Sequence, residues 1–175
     1  MKLIEGMKKI KDLQIKAEDL RKKVSTYCSD LNFETPMYGT EQDQRAKIQE
    51  WMQGHGDILK EILRLRVAIQ RTNLITHVTI ELGGKQVTKT IAEWIHRRRD
   101  LANEEREMWA GLGRKETSMR EGTVQTSTGE KQEVKIRRYY DPSQRDERSE
   151  LYRSEPLLVD ATLEVINAVT DLAEN

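Results

Sequence analysis

The sequence predicts a mainly α-helical protein whose long amphipathic helices form a coiled coil or helical bundle, with a short β-hairpin and a projecting β-arm. Apolar residues recur with helical spacing in four segments, a Gly-Gly pair separates two alternating runs, and residues 114–153 are mostly polar. The predicted organisation is a helical bundle over residues 1–113 with a hairpin at 75–88, a polar arm or insertion over 114–153, and a C-terminal helix over 154–175.

Composition excludes several classes of protein. The chain has 175 residues, of which 34% are charged, and 30 Lys and Arg balance 30 Asp and Glu. This length suits one ordinary domain with a thin core, and zero net charge disfavours gross attraction to nucleic acid or membranes. One Cys excludes an intrachain disulfide. We find no apolar signal segment and no transmembrane run, and we expect a virion or cytoplasmic protein.

The first helix is predicted over the first thirty residues, where apolar residues alternate at spacings of three and four. This alternation is typical of coiled coils because it keeps one narrow stripe facing a partner helix. The pattern does not decide whether that partner belongs to the same chain or to another copy. Only Gly6 interrupts the candidate self-association seam, whose members are Leu3, Ile10, Leu13, Ala17, Leu20, Val24 and Tyr27.

A second helix is predicted after an interruption that contains Pro36. Thr40 is placed to cap it, with Asp43 in the first turn. Its apolar face, which runs from Ile48 to Ile69, is wider than the first helix's seam. A face of this width can contact more than one neighbour, as in the central helix of a bundle.

A hairpin and a third helix follow. Gly83 and Gly84 separate two alternating runs, which is a good signal for a two-residue hairpin turn. Thr90 and Glu93 then match the capping box that starts a helix. Glycines at 111 and 113 should end this helix.

The polar segment contains two strand-like runs, Thr123 to Thr126 and Glu133 to Tyr140, around a turn. An isolated hairpin is only marginally stable in water, so this arm would need a partner surface.

The last helix is predicted to start at Ser154 and Pro156. Residues 1–31 contain eight bases and five acids, whereas residues 154–175 contain five acids and no base. This charge asymmetry predicts that the N- and C-terminal helices lie near each other, in one chain or between neighbours.

The sequence offers little evidence for chemistry. The three His residues fall in different elements, and no Ser, Cys or Lys lies in a recognisable catalytic motif. We therefore predict no enzyme activity, no catalytic residue, no cofactor and no metal ligand.

Two basic clusters are candidate contact sites. Arg137, Arg138, Tyr139 and Tyr140 on the arm are predicted to contact a protein partner, since Arg and Tyr are favoured at interfaces. The alternative is contact with nucleic acid, in which cations bind phosphates and rings stack on bases. Arg97, Arg98, Arg99 and Lys135 are the candidate phosphate contacts.

Several short motifs follow one another along most of the chain: Met1-Lys2-Leu3, Arg71-Thr72-Asn73, Gly83-Gly84, Thr90-Ile91-Ala92-Glu93 with Arg99-Asp100, and Glu133-Val134-Lys135. Together they resemble the septicolysin-like family of small helical proteins. The resemblance implies a helical, coiled-coil-rich fold, and it brings no catalytic residues.

These observations predict a non-enzymatic structural protein that self-associates or docks on a larger complex through helical seams and an extended arm. A virus particle, with this chain as a phage capsid, cement or connector component, is one assembly that would hold the polar arm. The alternative function is a nucleic-acid-binding accessory protein that uses the basic clusters at 97–99 and 135–140.

Overall fold

The computed structural model describes residues 1–173 and confirms the mainly helical class with a short hairpin. The described chain divides into two compact units, of which the first contains Met1–Thr76 and residues 164–173, and the second contains His77–Leu163. The hairpin and the third helix fall in the same unit as the last helix up to Leu163. No helix in the described part of the chain is long and apolar enough to cross a bilayer.

The first unit is built on two antiparallel helices, α1 (Leu3–Tyr27) and α2 (Glu41–Ile75). Lys9 forms an ion pair with Glu61 at 2.8 Å, and at the other end Tyr27 contacts Trp51 with ring centroids 5.9 Å apart. The predicted cap of α2 is confirmed, since the Thr40 hydroxyl accepts a hydrogen bond from the amide of Asp43.

Gly6 interrupts the apolar seam of α1 because Leu172 occupies the space beside it. A Cβ atom at Gly6 would lie 2.8 Å from Leu172 Cδ1, which is too close for a real side chain. The neighbouring backbone is also joined, since the amide of Leu3 donates to Thr170 and Lys2 forms an ion pair with Asp171. The predicted proximity of the two chain ends is thus confirmed within one chain.

Glu61 makes the stability of the first unit sensitive to acid. Hydrogen bonds from Arg64 and Lys9 lower the pKa of its carboxyl to about 2. A carboxyl whose pKa is lowered by folding stabilises the protein above its unfolded pKa, and this contribution is lost as the pH falls towards the folded pKa. Between about pH 4.5 and 2, we therefore expect Glu61→Gln to reduce the dependence of urea unfolding on pH. A Glu61→Gln chain that keeps the pH dependence of the wild-type chain would contradict this assignment.

The second unit begins with the predicted hairpin, β1 (His77–Leu82) paired antiparallel with β2 (Lys85–Thr90). Alternate residues of β1 are buried. Gly83 and Gly84 both have positive φ, as the two-residue turn requires.

A capping box then starts α3 (Ile91–His96), since the amide of Glu93 donates to the Thr90 hydroxyl and the Glu93 carboxylate accepts from the Thr90 amide. A π-helical turn over Arg97–Leu101 joins α3 to α4 (Ala102–Gly111). The predicted third helix therefore has the expected extent, and the π turn is an addition that periodicity did not predict.

The polar segment forms a short 3₁₀ turn (Arg114–Ser118) and a second hairpin, β3 (Gly122–Gln125) with β4 (Lys131–Val134). The prediction of a strand over Glu133 to Tyr140 is wrong, because β4 ends at Val134. Val134 pairs with the first residue of β3, so the chain beyond it has no partner strand within this hairpin.

The last helix, α5, covers Pro142–Val169, so the predicted start at Ser154 and Pro156 is also wrong. The observed start has the features expected at 154–156, a polar capping side chain followed by a proline. The Asp141 carboxylate accepts a hydrogen bond from the amide of Ser143, and Pro142 is the first helical residue. Pro156 lies inside the helix. Packing of the adjacent buried residues Glu155 and Val159 outweighs the backbone hydrogen bond that an interior proline removes.

Candidate functional site

The most prominent surface feature of the first unit is an apolar stripe along α2. We call it the α2 stripe; its members are Met52, Leu59, Leu63, Val67 and Leu74, which are 37% to 63% exposed. Met52, Leu63 and Leu74 lie eleven residues apart. Eleven residues are close to three helical turns, so the stripe follows one side of the helix.

The stripe differs from the face that α2 buries. Trp51, Ile62, Leu65 and Thr72 are buried in the first unit. Leu63 follows Ile62 directly, so its side chain points about 100° away around the helix. The helix thus has one occupied apolar face and a second apolar face that remains in solvent.

The charges near the stripe are mainly basic. Lys60 and Arg66 are exposed beside it. The acidic side chains of this part of α2 already have cationic partners, since Asp57 accepts a hydrogen bond from Lys60 and Glu61 accepts one from Arg64. Near the N-terminal end of the stripe, a shallow groove is lined by Arg21, Val24, Met52 and His55. Such a face can bind an apolar helix, and it contains no cluster suited to catalysis.

The predicted seam of α1 lies in contact with α2 of the same chain. Leu20 Cδ1 lies 3.5 Å from the place where a Cβ of Gly54 would stand, and the Tyr27 ring contacts Trp51 and Tyr38. These contacts of the seam lie within one chain, and the helix face that α2 leaves uncovered is a further candidate for association. All predicted seam residues are buried or half-buried, namely Leu3, Ile10, Leu13, Ala17, Leu20, Val24 and Tyr27.

The predicted arm contacts separate into two pairs. Arg138 forms an ion pair with Glu116 at 2.8 Å, and the Tyr140 hydroxyl donates a hydrogen bond to the same carboxylate. This hydrogen bond raises the pKa of Tyr140, and it lowers the pKa of Glu116 together with the bond from Arg138. Arg137 is exposed and Tyr139 is 89% exposed, so these two residues remain accessible to a partner.

The candidate phosphate contacts all have carboxylate neighbours. Arg98 forms an ion pair with Asp160, Arg99 with Asp100, and Lys135 with Glu133. Arg97 is only 16% exposed and lies between two carboxylates, as described below. A phosphate would have to displace these carboxylates, so the positive charge at 97–99 and 135 is largely neutralised.

A buried charged cluster in the second unit was not predicted. Arg97 donates two hydrogen bonds of 2.7 Å to Glu155, which is 1% exposed, and a third to Glu105. The guanidinium also lies 5.6 Å from the centre of the Tyr152 ring. Helix α5 supplies Glu155 and Tyr152, the π turn supplies Arg97, and α4 supplies Glu105.

The electrostatics of this cluster favour the charged forms of Arg97 and Glu105. The hydrogen bonds with Glu155 raise the pKa of Arg97. Burial raises the pKa of Glu105, but the hydrogen bond from Tyr152 and the interaction with Arg97 outweigh burial and lower the pKa overall. Because Arg97 is saturated by carboxylates, the cluster joins three helical segments and presents no free acid, base or nucleophile for a reaction.

The sequence indicates the α2 stripe only in part, and it does not indicate the pairing of Glu155 with Arg97. The wide apolar face of α2 indicates more than one contact, but not which part stays exposed. The role of Glu155 depends on Arg97, which is 58 residues away in the chain, so no local pattern reveals it.

Comparisons with known proteins add one distant likeness. No family model matches the chain, and no curated protein matches it. The chain is similar to a solved structure described as a functionally unknown conserved protein from Corynebacterium diphtheriae, with 17% identity, 99% of each chain covered and a TM-score of 0.46. At this level the likeness carries no argument about function.

Proposed function

We propose that this chain is a non-enzymatic structural protein that associates with further copies of itself through the α2 stripe, in a larger assembly. The observation that supports the proposal is the exposure of five large apolar side chains along one side of α2. Apolar side chains scattered singly on a surface are normal, whereas a contiguous row is typical of interaction sites.

The amount of exposed apolar surface favours weak to moderate association. Complete burial of one such side chain stabilises a protein by about 1.5–3 kcal/mol, and the stripe residues are roughly half exposed. Burial of the stripes of two copies would therefore contribute on the order of 10 kcal/mol, against an association cost of about 4–15 kcal/mol. We expect an equilibrium that depends on protein concentration.

Two further expectations remain predictions from the sequence alone. One is that the assembly is a virus particle, with Arg137, Arg138, Tyr139 and Tyr140 of the arm contacting a neighbour. The other is membership of the septicolysin-like family. Nucleic-acid contact through 97–99 and 135–140 stays the alternative, although the ion pairs described above count against it. A steep loss of binding as salt rises would support that alternative.

Light scattering over a concentration series tests the proposed function. The wild-type chain should exceed its monomer mass of 20.4 kDa as the concentration rises. Leu63→Asp should raise the dissociation constant by about 100-fold or more, because association would bury an unpaired carboxylate.

Ile75→Asp provides the matched control. Ile75 is 65% exposed on the same helix, against 63% for Leu63, and it lies on another side of α2. This variant should associate like wild type, and circular dichroism should show both variants folded. A wild-type chain that stays at 20.4 kDa at every concentration would overturn the proposed function.

A further inference from the structure

The spacing of the α2 stripe is symmetric about Leu63. Leu59 and Val67 lie four residues before and after it, and Met52 and Leu74 lie eleven residues before and after it. When two such stripes meet antiparallel, Leu63 faces its own copy. Every other apolar member then faces an apolar member of the second copy, Met52 against Leu74 and Leu59 against Val67.

Two positions between the members of the stripe fit the same arrangement. Gly56 and Gln70 lie seven residues before and after Leu63, so they face each other between the two copies. A Cβ atom at Gly56 would meet no atom within 4 Å, so the surface beside it is open. The long Gln70 side chain can extend over this open position instead of colliding with a second large side chain.

We infer that a second copy of this chain is the partner of the α2 stripe, bound antiparallel about a two-fold axis at Leu63. This inference rests on the proposed function and adds the identity and geometry of the partner. A foreign helix would need no mirror symmetry in the stripe, whereas a two-fold contact requires a self-complementary surface. The 22-residue separation of Met52 and Leu74 gives about 33 Å of helix, or three heptads, for the contact.

Charges beside the stripe are mainly basic and exposed, so they oppose this pairing only weakly. In the antiparallel arrangement Asp57 comes near Arg71 of the second copy, which is favourable, and Lys60 comes near Arg64 of the second copy, which is unfavourable. All four side chains are exposed, so each pair contributes little. We therefore expect the dissociation constant to change by less than about threefold between low and moderate salt.

Cysteine cross-linking tests the geometry. In a Cys28→Ser background, Leu63→Cys should form a disulfide-linked dimer under mild oxidation. Met52→Cys alone should not, because the two copies of residue 52 would lie about 33 Å apart and a disulfide requires Cα atoms within about 7 Å. A mixture of Met52→Cys and Leu74→Cys chains should form the mixed dimer.

Ile75→Cys controls for random collision, and Leu63→Cys should cross-link at least about tenfold faster than this variant. Self-linking of Met52→Cys at the rate of Leu63→Cys would indicate a parallel pairing and overturn the inference. A further outcome is that light scattering shows association of the Cys28→Ser chain while Leu63→Cys cross-links no faster than Ile75→Cys. This result would also overturn the inference, and it would leave the proposed function intact. A Cys28→Ser chain that stays monomeric at every concentration would overturn both.

Discussion

Replacement of Glu155 by alanine is expected to lower the free energy of unfolding by about 3–5 kcal/mol. Glu155 is 1% exposed and accepts both hydrogen bonds of a two-point ion pair with Arg97. Its removal leaves a mostly buried guanidinium with Glu105 as its remaining carboxylate, together with a cavity. Urea unfolding followed by circular dichroism measures the loss.

Two further variants separate charge from packing. Arg97→Met with Glu155→Leu removes both charges and keeps the volume, and it should recover most of the stability that Glu155→Ala loses. Glu105→Gln should cost less than Glu155→Ala, since the Glu105 side chain is 41% exposed. If the double variant were as unstable as Glu155→Ala, the cost would come from the lost hydrogen bonds between the two side chains, and the assignment to an unpaired charge would be wrong.

Local patterns predicted the elements whose causes are local. The heptad alternation of α1, the cap at Thr40, the glycine turn and the capping box at Thr90 each depend on residues within a few positions of one another, and each is present. Proline misled the prediction at α5. Pro142 and Pro156 both fit a helix start, and only packing around Glu155 decides that the second one is interior.

The candidate site was harder to predict than the helices and turns, because it consists of apolar side chains that the folded unit leaves exposed. The sequence places Met52 and Leu59 on a wide apolar face together with Trp51 and Ile62, and all four have helical spacing. Contact with α1 and the C-terminal residues covers one part of that face and leaves the other in solvent. Exposure of this kind is a property of the folded unit, so periodicity alone could not separate the stripe from the core.

Replacement of Trp94 by alanine is expected to destabilise the second unit by about 3–5 kcal/mol. Trp94 is fully buried in α3, and its indole nitrogen donates a 2.9 Å hydrogen bond to the carbonyl of Val78 in β1. The side chain thus fixes α3 against the hairpin through both volume and a directional bond. Amide hydrogen exchange should show lost protection within residues 77–163, because the residues that lose contacts belong to that unit.

The phenylalanine variant distinguishes the two contributions of Trp94. Trp94→Phe keeps most of the aromatic volume but removes the donor to Val78, and it should cost about 1–3 kcal/mol. If Trp94→Phe were as damaging as Trp94→Ala, the hydrogen bond and not the volume would dominate. If exchange in α1 rose as much as exchange in β1, the assignment of the loss to the second unit would be wrong. A local effect would instead mean that the hairpin depends on α3 for its order, since two strands alone are only marginally stable in water.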